Sequence, residues 1–243
     1  MGLKGVLPLA LVVLGLLLAS VVVGGEGDAH RYAAERQRMV TRDLKGRDIT
    51  DHRVLAAMGK VPRHLFVPPE LVSQAYDDTP LPIGHGATIS QPYIVALMSQ
   101  MAMVQPGQRV LELGKGSGYQ AAVLAELTDQ VYTIELVPEL SQAAAVLLAR
   151  LGYKQVTVRS GDGYQGWPEF APFDAIIVTA AAPEVPAALK EQLKDGGRLI
   201  IPVGPILGPQ YLLRLTKQGQ TFQEEIITPV AFVPLVRPRR PER

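Results

Sequence analysis

The chain has 243 residues, 47% of them hydrophobic, with 24 basic and 23 acidic side chains and a formal net charge of +1. One α/β domain of ordinary size plus a small extra fits that length, and so balanced a charge leaves no electrostatic footprint for nucleic acid, which is excluded as a partner. The absence of cysteine excludes a disulfide framework, a Cys-bound zinc and a thiol nucleophile, and His30, His52, His64 and His85 lack metal-ligand spacing, so no metal is expected.

Residues 5–25 carry no charge and are mostly Val, Leu and Ala. As a helix this run is roughly 31 Å long, about the thickness of a bilayer core. It reads as a signal peptide or a membrane anchor. Val23-Gly24-Gly25 and Gly25-Glu26-Gly27 match a small-x-small cleavage site poorly, and the length suits an uncleaved anchor better. Lys4 alone precedes the run, whereas Arg31, Arg36, Arg38, Arg42 and Lys45 follow it closely. That asymmetry places the domain in the cytoplasm, with membrane contact through 5–25; the alternative is a periplasmic protein after cleavage.

Residues 26–46 are polar, with an amphipathic helix over 32–44. A second helix is expected over 51–58 with Asp51 as its N-cap. The stretches 61–69 and 75–83 hold too many prolines for long regular elements and read as loops packed down by Leu65, Phe66, Tyr76, Leu81 and Ile83. Residues 84–92 combine Gly84 and Gly86 with Thr88, Ser90 and Gln91 and contain no acid. A helix starts near Pro92 and runs to about 103, which puts Ser90 or Gln91 where N-cap residues sit. The hydroxyl and the helix N-terminal N–H groups there suit an anion such as a carboxylate.

A buried strand over 110–113 then breaks into a turn with Gly114, Gly116 and Gly118, and an Ala/Leu-rich helix follows over 119–127. Glycines there let the chain take φ > 0 and let a ligand approach the backbone. A second apolar run, 131–134, ends in Glu135, whose carboxylate can accept hydrogen bonds from both ribose hydroxyls of an adenosine. The spacing is G-x-G-x-G rather than G-x-G-x-x-G, and acidic Glu112 precedes it. A carboxylate there opposes a pyrophosphate but suits a ligand bearing an ammonium and a sulfonium, which favours S-adenosyl-L-methionine over a dinucleotide. Lys115, inside the turn, could pair with Glu112 or with a substrate carboxylate, but it reads first as a solvated loop lysine.

Further on, a helix over 138–151 ends at Gly152, and a third strand covers 156–158. Asp162 and Gly163 follow at its carboxyl end, the edge where open parallel sheets bind ligands, so Asp162 can meet the adenine amino group. Trp167 reads as a packing residue. A central strand over 173–178, a helix over 185–193, a strand over 198–203 after Gly196 and Gly197, and a hairpin over 211–216 and 222–227 with its turn at 217–220 complete the pattern.

Several blocks resemble protein-L-isoaspartate (D-aspartate) O-methyltransferases. They include Pro62-Arg-His-Leu-Phe-Val-Pro68, Leu81-Pro-Ile-Gly84, Ala87-Thr-Ile-Ser-Gln-Pro92, the glycine turn, Gly161-Asp-Gly-Tyr-Gln-Gly-Trp-Pro168 and Phe173-Asp-Ala-Ile-Ile-Val178. The glycine turn is common to many methyltransferases; the Ala-Thr-Ile-Ser-Gln-Pro block is far more particular. The resemblance runs collinearly from about Arg36 to Leu235 and implies a Rossmann-like class I α/β fold. That fold has a mostly parallel seven-stranded sheet, helices on both faces and an antiparallel C-terminal hairpin. In domain terms, 1–25 is the hydrophobic segment and 26–243 a single methyltransferase domain. Within it, 26–105 forms a helical and loop-rich substrate side, 106–236 the cofactor core and 237–243 a basic tail.

The implied cofactor is S-adenosyl-L-methionine, held by Glu112, Gly114, Gly116, Gly118, Glu135, Asp162 and Gly163. The implied acceptor is the free α-carboxylate of an isoaspartyl residue in damaged proteins and peptides, with Ala87, Thr88, Ile89 and Ser90 binding substrate and the segment 229–236 near the site. The resulting ester closes to a succinimide that reopens partly to normal aspartate. A monomer is expected. A carboxylate acceptor is ionised at neutral pH and needs no base; it needs desolvation and alignment. Ser90 is accordingly read as the residue that fixes the carboxylate by a hydrogen bond, not as a nucleophile. Two features depart from the family pattern: Lys115, where a small residue such as Thr is usual, and the apolar amino-terminal run.

Overall fold

The computed structural model describes residues 23–205 and 207–238. The apolar run therefore lies outside the described residues, apart from Val23, Gly24 and Gly25 at the start of the first helix. Among the described residues no helix is long and apolar enough to cross a membrane.

The amino-terminal region is helical. Helix α1 (Val23–Arg38) passes directly into a π-helical stretch, Met39–Lys45, so the single helix expected over 32–44 is two differently wound pieces. Met39, Val40 and Leu44 are buried, and the wider winding brings these three to the core. Helix α2 (His52–Lys60) begins at Asp51, whose side chain accepts from the N–H groups of Arg53 and Val54, as the sequence indicated. The segment expected to be loop throughout instead contains a small antiparallel ribbon, β1 (Leu81–Gly84) with β2 (Ala87–Ile89). Pro82 is tolerated because a two-stranded ribbon has free edges. Helix α3 (Pro92–Ala102) follows.

The α/β core comprises β3 (Arg109–Leu113), α4 (Tyr119–Ala125), β4 (Gln130–Glu135), α5 (Pro138–Arg150), β5 (Val156–Ser160), β6 (Phe173–Val178), the short α6 (Ala187–Glu191), β7 (Leu193–Val203), β8 (Gln210–Gln218) and β9 (Thr221–Val230). Helix α6 is shorter than expected. Strand β7 is longer, and carries Gly196 and Gly197 inside it across a register shift against β6. The hairpin turn narrows to Gly219 and Gln220.

The seven strands lie in the order β5-β4-β3-β6-β7-β8-β9, parallel up to β7 and antiparallel thereafter. Successive strand residues point to opposite faces. Val110, Ile177 and Ile200 join a core beneath α2, α3 and α4, while Leu111, Ile176 and Ile201 join a second core with Trp167, Phe173 and Leu189. Trp167 packs edge-on to Tyr132 and Phe170, a structural role.

The chain runs outward from β3 to β5 and returns to place β6 on the other side of β3. This reversal opens a crevice at the carboxyl ends of β3 and β6. The segment after β9 returns over that crevice: the Ala181 N–H donates to Val233 O at 2.9 Å and the Leu235 N–H to Ala181 O at 2.7 Å.

Candidate active site

Strand β3 delivers Glu112 and Leu113 to the crevice, and the chain must then turn sharply into α4. Gly114 and Gly116 take φ of +86° and +52°, a region costly to residues with a Cβ. Crowding adds to this: a Cβ on Gly114 would lie 2.9 Å from Thr179 Oγ1, and one on Gly116 3.0 Å from Ile83 Cδ1. The Thr179 hydroxyl donates to Gly114 O at 2.5 Å and clamps the turn to the end of β6. Gly118 faces away, its Cβ position 3.2 Å from Ala144 on α5, so it packs the loop on that helix.

Glu135, at the tip of β4, is 8% exposed and ties two elements together. Its Oε2 accepts from the Gly116 N–H at 2.8 Å and its Oε1 from the Val137 N–H at 3.0 Å, beside the start of α5. Each oxygen keeps a further lone pair. Glu135 lines a cleft of about 160 Å³ together with Ala87, Thr88, Gly114, Gly116, Gly163 and Thr179. The returning segment, Val233 to Val236, forms its far wall, and exposed His85 stands at its rim. Asp162 sits next to Gly163, with Oδ1 accepting from the Tyr164 N–H at 2.9 Å.

A recess of about 20 Å³ shares Thr88, Gly114 and Thr179 with the cleft and adds Ile89, Ser90, Glu112 and Lys115. Glu112 is fully buried. Its Oε2 accepts from the Thr133 hydroxyl at 2.6 Å, and its Oε1 has no hydrogen-bond partner. Burial pushes its carboxyl up to about 7, against the opposing pull of Thr133 and Lys115. The expectation for Lys115 is corrected: it is 3% exposed, not solvated, and its Nζ donates to Ser141 O at 2.8 Å. The glycine turn folds back toward α5 there, so the lysine stem is enclosed and the ammonium finds a helix carbonyl instead of water.

Because the folded pKa of Glu112 lies above its unfolded value, the fold binds this proton more tightly. The stability it contributes is present below about pH 4.5 and is lost as pH rises through about 7. Glu112→Gln removes that burial cost. At pH 8 the ligand-free variant is expected to be about 1–2 kcal/mol more stable and to melt roughly 3–5 °C higher, with the gap closing at pH 5. Thermal melts at the two pH values check this, and a lower melting point at pH 8 contradicts it.

On the other side of Thr88 lies a groove of about 470 Å³, lined by Thr88, Ser90, Gln91, Ile94 and residues 229–232. Ser90 thus faces both recess and groove, while Ile89 is buried toward the core. Neither Ser90 nor Gln91 caps α3 with its side chain. Asp78 does so from thirteen residues upstream of Gln91: its Oδ1 accepts from the Tyr93 N–H at 2.9 Å and its Oδ2 from Gln91 Nε2 at 2.8 Å and from Arg47 at 3.2 Å. A cap so remote in sequence leaves no local signal. Asp78→Ala is expected to cost about 2 kcal/mol of stability, and to reduce turnover more than cofactor affinity because the Ser90–Gln91 turn loses its tether. Paired melts and steady-state kinetics check this; unchanged kinetics in a folded variant contradict it.

A glycine turn at the strand-order reversal, an acid at the tip of the neighbouring strand and a seven-stranded sheet ending in an antiparallel hairpin define a class I methyltransferase using S-adenosylmethionine. The site fits that group, since the unpartnered, buried Glu112 oxygen calls for a donor such as an ammonium, and the free lone pairs of Glu135 call for hydroxyls. The profile of the protein-L-isoaspartate(D-aspartate) O-methyltransferase family matches residues 34–240. The chain is 56% identical over 226 residues to a protein-L-isoaspartate O-methyltransferase of Opitutus terrae, covering 92% of this chain and 97% of that one. It is 55% identical over 204 residues to one of Gloeobacter violaceus, covering 84% and 100%. A Plasmodium falciparum structure described as a protein-L-isoaspartate O-methyltransferase, in complex with S-adenosyl-L-homocysteine, superposes with a TM-score of 0.73. Its identity is 29%, and the match covers 83% of this chain and 98% of that one. The chain belongs to the protein-L-isoaspartate(D-aspartate) O-methyltransferase family.

Proposed function

We infer that this chain transfers a methyl group from S-adenosyl-L-methionine to the free α-carboxylate of L-isoaspartyl and D-aspartyl residues in damaged proteins and peptides, starting their repair through a methyl ester and a succinimide. The observation that carries the reading is the position of Thr88, which lines the cofactor cleft, the recess and the wide groove at once. An acceptor in the groove meets the cofactor there, with Ser90 alongside.

In this reading Glu135 holds the ribose, Glu112 faces the amino acid end, and Gly114, Gly116 and Gly163 give the ligand room against the backbone. Asp162, beside the cleft-lining Gly163, would receive the base, and Gly118 serves the site by seating the turn on α5. When bound, the cofactor supplies a methyl group already activated by positive sulfur. The chain's own task is to take a carboxylate out of water and align one oxygen. The Ser90 hydroxyl donates to the acceptor carboxylate and fixes it; Ala87 and Thr88 shape the wall that excludes water. No base is needed, because the carboxylate arrives ionised. Alignment of this kind is worth roughly 7–11 kcal/mol.

Radiolabelled methyl transfer to an isoaspartyl peptide, with the matching aspartyl peptide as control, tests the assignment. Label is expected only in the isoaspartyl peptide. Equal labelling of both excludes repair, and cofactor binding without transfer points to an inert module. The apolar run is read as an anchor that leaves the domain in the cytoplasm, supported by the basic residues that follow it. Digestion of the domain by protease added outside spheroplasts rejects that orientation.

A further inference from the structure

We propose that Lys115 lowers the preference of the cofactor site for the positively charged methyl donor over its neutral demethylated product. The proposal rests on the cofactor reading above and concerns a lysine that is enclosed in the glycine turn at 3% exposure.

Lys115 is enclosed in the recess that holds Glu112, and its Nζ is anchored on the first turns of α5 by Ser141 O at 2.8 Å and Ser141 Oγ at 3.3 Å. Its charge acts on both Glu112 and Glu135, the two acids of the cofactor site. In the ligand-free site burial holds the Glu112 carboxyl at about 7; with a ligand ammonium beside it Glu112 ionises, the two acids then carry a formal −2, and Lys115 reduces the set to −1. Burial pulls the ammonium down only to about 8, so it is charged at pH 7.

The two ligands share adenosine, ribose, ammonium and carboxylate. They differ by one positive charge, on sulfur in the donor and absent in the product. Every contact to the shared parts cancels in the ratio of their affinities, and so does any general loosening of the glycine turn. What remains in that ratio is the field of the site at sulfur. A fixed cation nearby works against the charged form and leaves the neutral form untouched. The site thus holds its spent cofactor comparatively well, and turnover becomes sensitive to removal of S-adenosylhomocysteine.

The test is calorimetric titration of the purified full chain with S-adenosylmethionine and with S-adenosylhomocysteine at pH 7 and low salt. Wild type is compared with Lys115→Met, which keeps the stem, and with Lys115→Gln, whose amide can still donate to Ser141 O. Thermal melts identify the variants that fold. In each folded variant the ratio Kd(donor)/Kd(product) is expected to fall about threefold to tenfold, the scale of one charge at partly shielded range. A ratio unchanged from wild type, with both affinities shifted equally, overturns the proposal and leaves Lys115 a strut; a rising ratio overturns it outright. Failure of wild type to bind either ligand would instead overturn the cofactor reading.

Discussion

Glu135→Ala is expected to weaken S-adenosylmethionine binding by at least about a hundredfold and to lower the melting temperature by roughly 10 °C. The carboxylate does two jobs with the same two oxygens. Within the chain it accepts the Gly116 and Val137 N–H groups at 2.8 and 3.0 Å, joining the glycine turn to the start of α5. Truncation leaves two enclosed donors unpaired, at about 1–3 kcal/mol each. A few kcal/mol in a domain of this size corresponds to the melting shift stated. In the proposed reading the remaining lone pairs, toward the cleft, accept ribose hydroxyls, and a charged hydrogen bond of that kind is worth about 1.5–3 kcal/mol. Glu135→Gln should be milder in melting but still weak in binding, since an amide offers one acceptor oxygen where two N–H groups wait. Calorimetry and melting curves decide it. Retention of wild-type affinity by a folded Glu135→Ala variant would remove Glu135 from the cofactor site.

Ser90→Ala is expected to reduce kcat by about a hundredfold while leaving the cofactor Kd within about twofold. Ser90 lines the wide groove and the recess but not the cleft of Glu135, and its hydroxyl forms no hydrogen bond among the described residues. A donor placed at a reacting oxygen in a partly dehydrated site contributes about 2.7–4 kcal/mol when it acts chiefly in the transition state. The kinetic signature is therefore a fall in kcat and kcat/KM together, without matching loss of cofactor binding. A parallel loss of turnover and cofactor affinity would show instead that Ser90 supports the cleft wall. Thr88→Ala, at the junction of all three cavities, should raise KM for the peptide more than it lowers kcat.

The backbone architecture was legible because each of its devices is local. A run such as 173–178, apolar on both sides, suits a strand covered on both faces, and Phe173–Val178 is the central β6. Asp51 announced α2 through an N-cap that needs only the N–H groups two and three residues on. Glycines at 114 and 116 followed by a helix, and Glu135 at a strand end, are read from spacing as parts of one site, and a single cleft contains all three.

What the sequence could not disclose depended on partners far along the chain. Asp78 looked like a loop acid between prolines; only the fold brings it to Tyr93 N–H and Gln91. Leu81 and Ile89 pair across a ribbon too short for any periodicity to reveal. The returning segment, Val233 to Val236, closes the cleft because Ala181 holds it, a contact across about fifty residues.

By itself, then, the sequence determined the sheet, the glycine turn and the acids at its strand tips, because hydrophobic periodicity and backbone strain act over a few neighbouring residues. Tertiary structure alone decided the charge state of the site. A lysine that any local rule places in water is enclosed when α5 packs on the turn, and a carboxylate on β3 loses its hydration when the sheet is covered. Burial is a property of the assembled chain, and the energies of charged groups follow burial more than they follow their immediate neighbours in sequence.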